Sequence, residues 1–288
     1  MIRGSIVATV TPMKDGKIDF DSLGELVEWF IASGSDGIVP MGTTGESATL
    51  THEEHDQVVA FVVKAVAGRV KVIAGAGSNA THESVRLTKR GEEAGADGIL
   101  TIQPYYNKPT PEGTYRHFKA VAEATKLPVV LYSVPGRTGR EIDLPTIKRL
   151  AEIENVVAVK EAGGSVDRAT EIVAVDGIDC LSGDDTLVLP MMAVGAVGTI
   201  SASANVVPRE MADIVRMCAA GDFSGAREIH HRIYPVLKEL FVENNPSGAK
   251  TALKLMGRLN AEVRLPLVEL KPENEAKLEK TLRACGVI

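Results

Sequence analysis

One pattern recurs along the chain: a short apolar segment rich in β-branched residues precedes a longer segment with helical hydrophobic spacing. The apolar segments are continuous rather than alternating, which is typical of parallel strands buried on both faces. We predict eight strands: Ser5–Pro12, Gly37–Gly42, Lys71–Gly77, Gly98–Pro104, Pro128–Pro135, Val156–Ala162, Asp179–Asp184 and Val197–Ser203. Eight strand–helix units in succession predict an α/β fold, a (β/α)8 barrel. A doubly wound sheet is the alternative, but no change of pattern marks a second domain.

The segments between the strands carry helix signals of their own. Apolar residues recur at helical spacing after the first strand, at Leu23, Leu26, Val27, Phe30 and Ile31. Thr51 and Glu54 form a capping box before the next helix, and Thr81 begins another that ends near Gly95. The uncharged stretch over residues 186–208 contains Pro190 and Gly195. It therefore favours a buried helix and a buried strand over a membrane span.

The strand signals stop after a helix over Pro208–Ala219. The remaining residues predict three further helices, with breaks at Asn244-Asn245-Pro246, at Leu265-Pro266 and at Pro272. We therefore divide the chain into a barrel over residues 1–221 and a C-terminal three-helix extension over residues 222–288. The extension would serve as an assembly surface or as a lid on one face of the barrel.

Composition excludes several classes of protein. The 288 residues carry a net charge of −6 and only 4% aromatic residues, which argues against a nucleic-acid-binding protein. The three cysteines, Cys180, Cys218 and Cys285, form no CxxC pair, so we expect a reduced, cytoplasmic protein without a zinc site. The first apolar segment is short and is broken by Pro12 and Lys14, so we expect no signal peptide.

Polar residues gather at the C-terminal ends of the predicted strands, where barrels of this kind place their active sites. Lys160 is the most specific of them, because it ends an otherwise apolar strand on the same predicted face as Val156 and Ala158. An amine held among apolar groups tends to be neutral, and a neutral amine can attack a ketone to form a Schiff base. The alternative is a strand-end lysine that reaches solvent or pairs with Glu161.

Further candidates lie at neighbouring strand ends. Tyr132 ends the fifth strand, where a phenol can relay protons, although it could equally be a core tyrosine. Arg137 follows in a Pro-Gly-Arg-Thr-Gly loop, where a guanidinium suits a carboxylate or simply meets solvent. Thr43 and Thr44 lie in a glycine-bracketed turn whose N–H groups and hydroxyls could hold a carboxylate or cap a helix.

Three other motifs carry less weight. The sequence from Gly75 to Ala80 fits a loose dinucleotide loop, but it lies within a series of similar units. His52 and His55 are three residues apart, not the four that a zinc helix requires. The adjacent histidines His230 and His231 point in different directions on a helix.

Five ordered motifs together resemble the dihydrodipicolinate synthase family: GTTGESATL at 42–50, PYYNKP at 104–109, YSVPGRTG at 132–139, VKEA at 159–162 and SGDD at 182–185. The resemblance runs from near Ile6 to the C-terminus. It implies a pyruvate-dependent class I aldolase that joins pyruvate to L-aspartate 4-semialdehyde in lysine biosynthesis. No metal or organic cofactor is implied, since the imine itself serves as the electron sink.

The resemblance also assigns roles to residues. Lys160 would form the Schiff base with pyruvate. A proton relay would consist of Tyr132, Thr43 and Tyr106, with Tyr106 reaching into the site of a neighbouring subunit. The substrate-binding residues would be Thr44, Arg137, Gly183 and Ile200. Two positions depart from the family pattern: Ser133 stands where Asn is usual, and Gly163 stands where Ser or Thr is usual.

The family further implies a homotetramer, a dimer of tight dimers, and in some members feedback inhibition by L-lysine. The matching effector positions are Ser47, Ala48, His52, His55, Asn79, Glu83 and Tyr105. Among them, Glu83 would pair with the lysine ammonium group. For His52 and His55 the alternative is a helix-surface position without a ligand.

Competing functions remain open at this point. Another pyruvate aldolase, of the N-acetylneuraminate lyase or 2-keto-3-deoxygluconate aldolase type, would share the lysine and the tyrosine. Arg137 and Tyr106 favour the synthase, because sugar-acid lyases commonly lack the arginine. A nicotinamide-dependent oxidoreductase using Gly75 and Gly77 is a second alternative, and a non-catalytic homologue is a third. The intact set of Lys160, Tyr132 and Thr43 argues against the last.

Overall fold

In a computed structural model that describes residues 1–288, eight parallel strands close into a barrel. The strands are β1 (Gly4–Ala8), β2 (Gly37–Val39), β3 (Lys71–Gly75), β4 (Gly98–Ile102), β5 (Val129–Ser133), β6 (Val156–Glu161), β7 (Asp179–Ser182) and β8 (Gly198–Ser201). The predicted (β/α)8 barrel is therefore confirmed. The observed strands stop short of the predicted ends, because the last residues of each apolar segment turn into the loops above the barrel.

One or more helices follow each strand, and the longer ones cover the outside of the barrel. They are α1 (Phe20–Ala32), α2 (His52–Val66), α3 (Thr81–Glu93), α4 (Pro111–Glu123), α5 (Pro135–Thr138), α6 (Leu144–Ala151), α7 (Val166–Val173), α8 (Val188–Ala193) and α9 (Pro208–Ala219). A small hairpin pairs Met13–Lys14 with Lys17–Ile18. The capping box that opens α2 is present, with reciprocal hydrogen bonds between Thr51 and Glu54.

Apolar residues form two separate cores. Twelve buried residues fill the inside of the barrel, among them Ile6, Ile73 and Leu181. A larger cluster of 55 buried residues lies between the strands and the helices. Because seven of the eight strands, all except β8, contribute to both clusters, their apolar segments are continuous, which explains the pattern from which the strands were predicted.

One strand departs from regular alternation. The pairing of β5 with β6 shifts between Val129 and Val130, so that Val130 faces Ala158 rather than Val157. Val156 consequently packs in the outer cluster, while Ala158 lies inside the barrel. The prediction that Val156 shares the face of Ala158 and Lys160 is wrong for Val156, since a β-bulge resets the alternation.

The residues after 221 form three helices: α10 (Phe223–Glu239), α11 (Ser247–Leu255) and α12 (Pro272–Ala284). Their apolar side chains, including Leu237, Leu253 and Leu282, belong to the same cluster that surrounds the barrel. This packing holds α11 and the segment after it next to the loops at the C-terminal ends of the strands. None of the helices is both long and apolar enough to cross a membrane.

Candidate active site

Lys160 and Tyr132 come together inside the mouth of the barrel. They are register partners at the ends of β6 and β5, and the Lys160 Nζ atom lies 4.2 Å from the centre of the Tyr132 ring. Each residue is only 7% exposed. The amine forms no ion pair with a carboxylate, and Ala158, two residues before Lys160 on β6, lies inside the barrel. The arrangement gives a shielded amine with a phenol beside it.

The neighbouring strand ends leave room for this amine. A Cβ atom built on Gly183 would lie 3.0 Å from Lys160 Cε and 2.6 Å from the Ala162 side chain, so this position accepts only glycine without rearrangement. Ile200 is fully buried on the inside of β8. Asp184 lies just beyond, and burial raises the pKa of its carboxyl group above the usual range, while the charge of Lys160 acts in the opposite direction.

Thr43 and Thr44 occupy a tight turn after β2. The Thr43 carbonyl accepts a hydrogen bond of 3.1 Å from the Glu46 N–H. The Thr44 hydroxyl is buried and accepts a hydrogen bond of 2.9 Å from the Asn245 side-chain amide. Sequence reasoning used Asn245 only as a helix break, because no local pattern indicates that it reaches back across the fold to this turn.

Arg137 and Tyr106 lie at the rim rather than inside. Arg137 sits in the short helix α5, is exposed and forms no ion pair. Tyr106 is 90% exposed and has a positive φ of 71°, which is unusual for a bulky side chain. Within a single chain, the structure thus brings Lys160 and Tyr132 together and leaves Tyr106 and Arg137 facing outward.

Glu161 follows Lys160 directly but lies on the other side of β6. Its Oε1 atom accepts a hydrogen bond of 2.7 Å from the Gly163 N–H. Burial raises the pKa of Glu161 to about 7, although the bond from Gly163 and the charge of Arg168 oppose the shift. A Cβ atom on Gly163 would lie 2.5 Å from this oxygen, so the carboxyl group fills the space that a Ser or Thr side chain would need.

The residues suggested for an effector site are only partly gathered on one surface. The His52 Nε2 atom lies 2.5 Å from Glu83 Oε1, and the Ser78 hydroxyl donates to the other Glu83 oxygen. These two contacts lower the pKa of Glu83. Asn79 accepts a hydrogen bond of 2.8 Å from the Asn107 side chain, which ties the loop after β3 to the loop carrying Tyr105.

His55 is placed differently from His52. It is buried, and its Nε2 atom lies 2.8 Å from the Gly75 carbonyl oxygen, so it faces the barrel rather than the surface. Burial lowers the pKa of His55. Ser47 and Ala48 lie in the turn that precedes α2, and Ala48 is exposed.

Comparisons with known proteins place this geometry in a family. The model of the dihydrodipicolinate synthetase family matches residues 1–285. A relative from Aquifex aeolicus named 4-hydroxy-tetrahydrodipicolinate synthase is 51% identical over 286 residues, covering 98% of this chain and 97% of the relative. The solved enzyme from Acinetobacter baumannii, complexed with pyruvate, matches with a TM-score of 0.98 and 44% identity over 100% of both chains. The enzyme from Cyanidioschyzon merolae, with lysine bound, matches at a TM-score of 0.95 and 38% identity over 99% of both chains.

The match extends over nearly the whole chain in sequence and in fold, and it includes the strand ends that carry Lys160 and Tyr132. Members of this family are lyases of the class I aldolase type. The chain belongs to the dihydrodipicolinate synthetase family.

Proposed function

We propose that the protein is a 4-hydroxy-tetrahydrodipicolinate synthase, which condenses pyruvate with L-aspartate 4-semialdehyde. The observation that carries the proposal is the buried Lys160 amine, 4.2 Å from the Tyr132 ring centre and without an ion pair. A neutral amine can attack a ketone to form a Schiff base, and this amine has no carboxylate that competes for it. The adjacent phenol supplies a group that can carry the protons.

The first half of the reaction builds a nucleophile from pyruvate. The Lys160 amine attacks C2 of pyruvate, and the C2 oxygen leaves as water to give an imine. Loss of a proton from C3 then converts the imine to an enamine. Tyr132, Thr43 and Tyr106 form the relay that brings protons to the leaving oxygen and removes them from C3. The imine nitrogen holds the electron pair, so the step needs no metal or organic cofactor.

The second half forms the carbon–carbon bond and closes the ring. The enamine C3 attacks the aldehyde carbon of the semialdehyde, and the relay protonates the new alkoxide. The amino group of the semialdehyde then attacks C2 and displaces Lys160, which regenerates the free enzyme. Arg137 at the rim binds the carboxylate of the semialdehyde, and Thr44 holds the pyruvate carboxylate through its backbone. The main-chain groups of Gly183 and Ile200 contact the substrate.

A coupled assay tests the proposal. Pyruvate and L-aspartate 4-semialdehyde are supplied together, and the ring product is read through a reductase that consumes NADPH. Lys160→Ala should abolish turnover, while Lys89→Ala, which removes an exposed lysine of α3, should leave it unchanged. Reduction with borohydride should attach pyruvate to the wild-type chain at Lys160 and leave Lys160→Ala unmodified by mass spectrometry. A chain that turns over equally well without Lys160 would refute the proposed nucleophile.

The alternative within the same chemistry is another pyruvate aldolase, of the N-acetylneuraminate lyase or 2-keto-3-deoxygluconate aldolase type. Trapping of pyruvate on Lys160 without turnover of the semialdehyde would favour this alternative. The unpaired, exposed guanidinium of Arg137 favours the synthase, because it is free to take up a second carboxylate.

We also infer a homotetramer, a dimer of tight dimers, in which Tyr106 enters the site of a neighbouring subunit. An aromatic side chain that is 90% exposed on a left-handed backbone is costly unless a partner covers it. Mixing inactive Lys160→Ala with Tyr106→Ala should restore activity. A subunit that keeps Lys160 would then receive Tyr106 from its partner. No recovery in a mixture shown to exchange subunits would contradict the shared site.

We further propose that L-lysine inhibits the enzyme at Ser47, Ala48, His52, His55, Asn79, Glu83 and Tyr105. Hydrogen bonds already hold Glu83 as an anion, which suits an ammonium ligand. Millimolar lysine should lower the rate of the wild type, and Glu83→Gln should weaken the inhibition without a matching loss of turnover. An unchanged rate in lysine would refute this.

The three free cysteines fit the cytoplasmic location that the sequence predicts.

A further inference from the structure

A buried ion pair joins the C-terminal helices to the turn that carries Thr43. The Lys250 Nζ atom in α11 lies 2.5 Å from Glu46 Oε1, and both side chains are 0% exposed. The Lys250 amine also donates to the Glu262 carbonyl oxygen at 2.7 Å, and the Arg264 N–H donates to the second Glu46 oxygen at 3.1 Å. The carboxylate of a barrel loop is therefore held entirely by groups from the last third of the chain.

The turn that receives this pair needs such support. Glu46 has a φ of 58° and Met41 has a φ of 59°, both in the left-handed region that disfavours residues other than glycine. Such conformations persist only where the surroundings enforce them, and they cluster at functional sites. The Glu46 N–H donates to the Thr43 carbonyl at 3.1 Å, so the position of Glu46 fixes that of Thr43.

A second contact reaches the same turn from the same side. The Asn245 amide, just before α11, donates to the buried Thr44 hydroxyl at 2.9 Å. Within the barrel, the Thr11 hydroxyl donates to the Gly45 carbonyl at 2.7 Å. The turn is thus held between the segment that follows β1 and the start of the C-terminal extension's second helix, from which Asn245, just before α11, and Lys250, within α11, make the contacts.

Stability alone does not account for the pair. Removing two charges from water carries a large desolvation cost, and apolar side chains of similar volume often stabilise the fold as well or better. An ion pair with directed hydrogen bonds also fixes a position, because it specifies where the Glu46 carboxylate must lie. The position of this turn determines where Thr43 and Thr44 lie, and both residues face the substrate in the proposed mechanism.

We propose that Lys250 and Asn245 are positioning residues for the condensation, through which the C-terminal helices hold the Thr43–Thr44 turn in its working geometry. This inference rests on the proposed function. It holds that Lys250 and Asn245 orient the Thr43 hydroxyl of the proton relay and the Thr44 backbone that binds the pyruvate carboxylate. Neither residue touches the reacting atoms. Misplacement of a reacting or binding group by about 1 Å can cost on the order of a hundredfold in rate.

The decisive variant removes both charges at once. Glu46→Gln combined with Lys250→Met leaves no lone buried charge and keeps the volume, so it should fold with a stability close to that of the wild type. We expect kcat to fall by about tenfold to a hundredfold and KM for pyruvate to rise several-fold, because the turn loses its fixed anchor. Borohydride trapping of pyruvate on Lys160 should slow in parallel.

A control distinguishes this effect from the loss of any lysine in α11. Lys254→Met removes an exposed lysine one turn further along the same helix, where it pairs with Glu275 at 2.9 Å. This control should keep the wild-type kcat and KM. A folded double variant with the wild-type kcat and KM would overturn the inference, since the pair would then only attach the helices to the barrel.

Asn245→Ala keeps the inference testable if the double variant fails to fold. This change deletes one hydrogen bond from a half-buried side chain, and it should raise KM for pyruvate several-fold with the fold intact. An unchanged KM for pyruvate would overturn the inference. Measurements on the wild type distinguish a failure of this inference from a failure of the proposed function. If it neither traps pyruvate nor turns over the semialdehyde, the function itself is refuted whatever the variants do.

Discussion

The chain buries two lysines in opposite surroundings. Lys160 lies in the mouth of the barrel beside an aromatic ring and forms no ion pair, whereas Lys250 is fully enclosed and bound to Glu46 and to the Glu262 carbonyl. An amine without a fixed counterion is not tied up by other groups, and a neutral amine can attack a carbonyl carbon. An amine fixed by a carboxylate and a carbonyl has no free lone pair and serves as an anchor.

The difference shows that burial alone does not identify a reactive lysine. Burial lowers the pKa of Lys250, and the charge of Glu46 opposes the shift. What separates the two residues is whether the surrounding atoms satisfy the ammonium group. Around Lys160 they do not, and glycine at position 183 keeps its immediate surroundings open. In the proposed mechanism, the turn that carries Glu46 and Thr43 joins the two sites, because the Glu46 N–H donates to the Thr43 carbonyl.

The largest expected effect is the loss of turnover when Lys160, the lysine without an ion pair, is replaced. Lys160→Ala should lower kcat by at least about a thousandfold, because no other group can form the imine. Steady-state kinetics in the coupled assay measures the loss. A residual rate within tenfold of the wild type would show that Lys160 is not the nucleophile, and the two lysines would then differ only in their surroundings.

The second prediction concerns stability, for which we expect Lys250 to matter more than Lys160, the opposite of their expected importance for turnover. Lys250→Met should lower the free energy of unfolding by about 3–5 kcal/mol, because it leaves the Glu46 carboxylate buried without its partner. Lys160→Met should leave stability unchanged or raise it, since it removes a buried amine that has no counterion. Urea unfolding of both variants measures the contrast. Equal losses of unfolding free energy in the two variants would mean that both amines are equally well paired in the folded protein.

The smallest effect concerns Glu161, the neighbour of Lys160 on the outer face of β6. Burial raises its pKa to about 7, so between pH about 4.5 and 7 the folded protein keeps a proton that the unfolded chain releases. The contribution of this group to stability is therefore fully present at low pH and is lost as pH rises through about 7.

Glu161→Gln tests this dependence. The variant should match the wild type near pH 4 and exceed it at pH 8 by up to about 3 kcal/mol, because the amide never carries the buried charge. Gln can still accept the hydrogen bond from the Gly163 N–H. Glu154→Gln, on an exposed side chain, is the matched control. Urea unfolding across this pH range with no difference between Glu161→Gln and this control would contradict the prediction.

Much of the fold could be predicted because the relevant forces are local or periodic. Eight continuous apolar segments separated by amphipathic helices specify strands that are buried on both faces, and the capping box specifies where α2 begins. The location of Lys160 and Tyr132 at the same end of the barrel also follows, because parallel strands bring their C-terminal ends to one edge. The bulge before Ala158 could not be predicted, since it depends on the partner strand.

The sequence by itself determined the barrel and the identities of the residues at its mouth. Only the tertiary structure decided which polar residues are buried together. In sequence, Lys250 is an ordinary lysine of a helix and Asn245 a residue before a proline. The packing of α11 against the barrel encloses the first with Glu46 and brings the second to Thr44. The physical reason is that burial and pairing depend on which surfaces meet across about 200 residues of chain, and no local pattern records this.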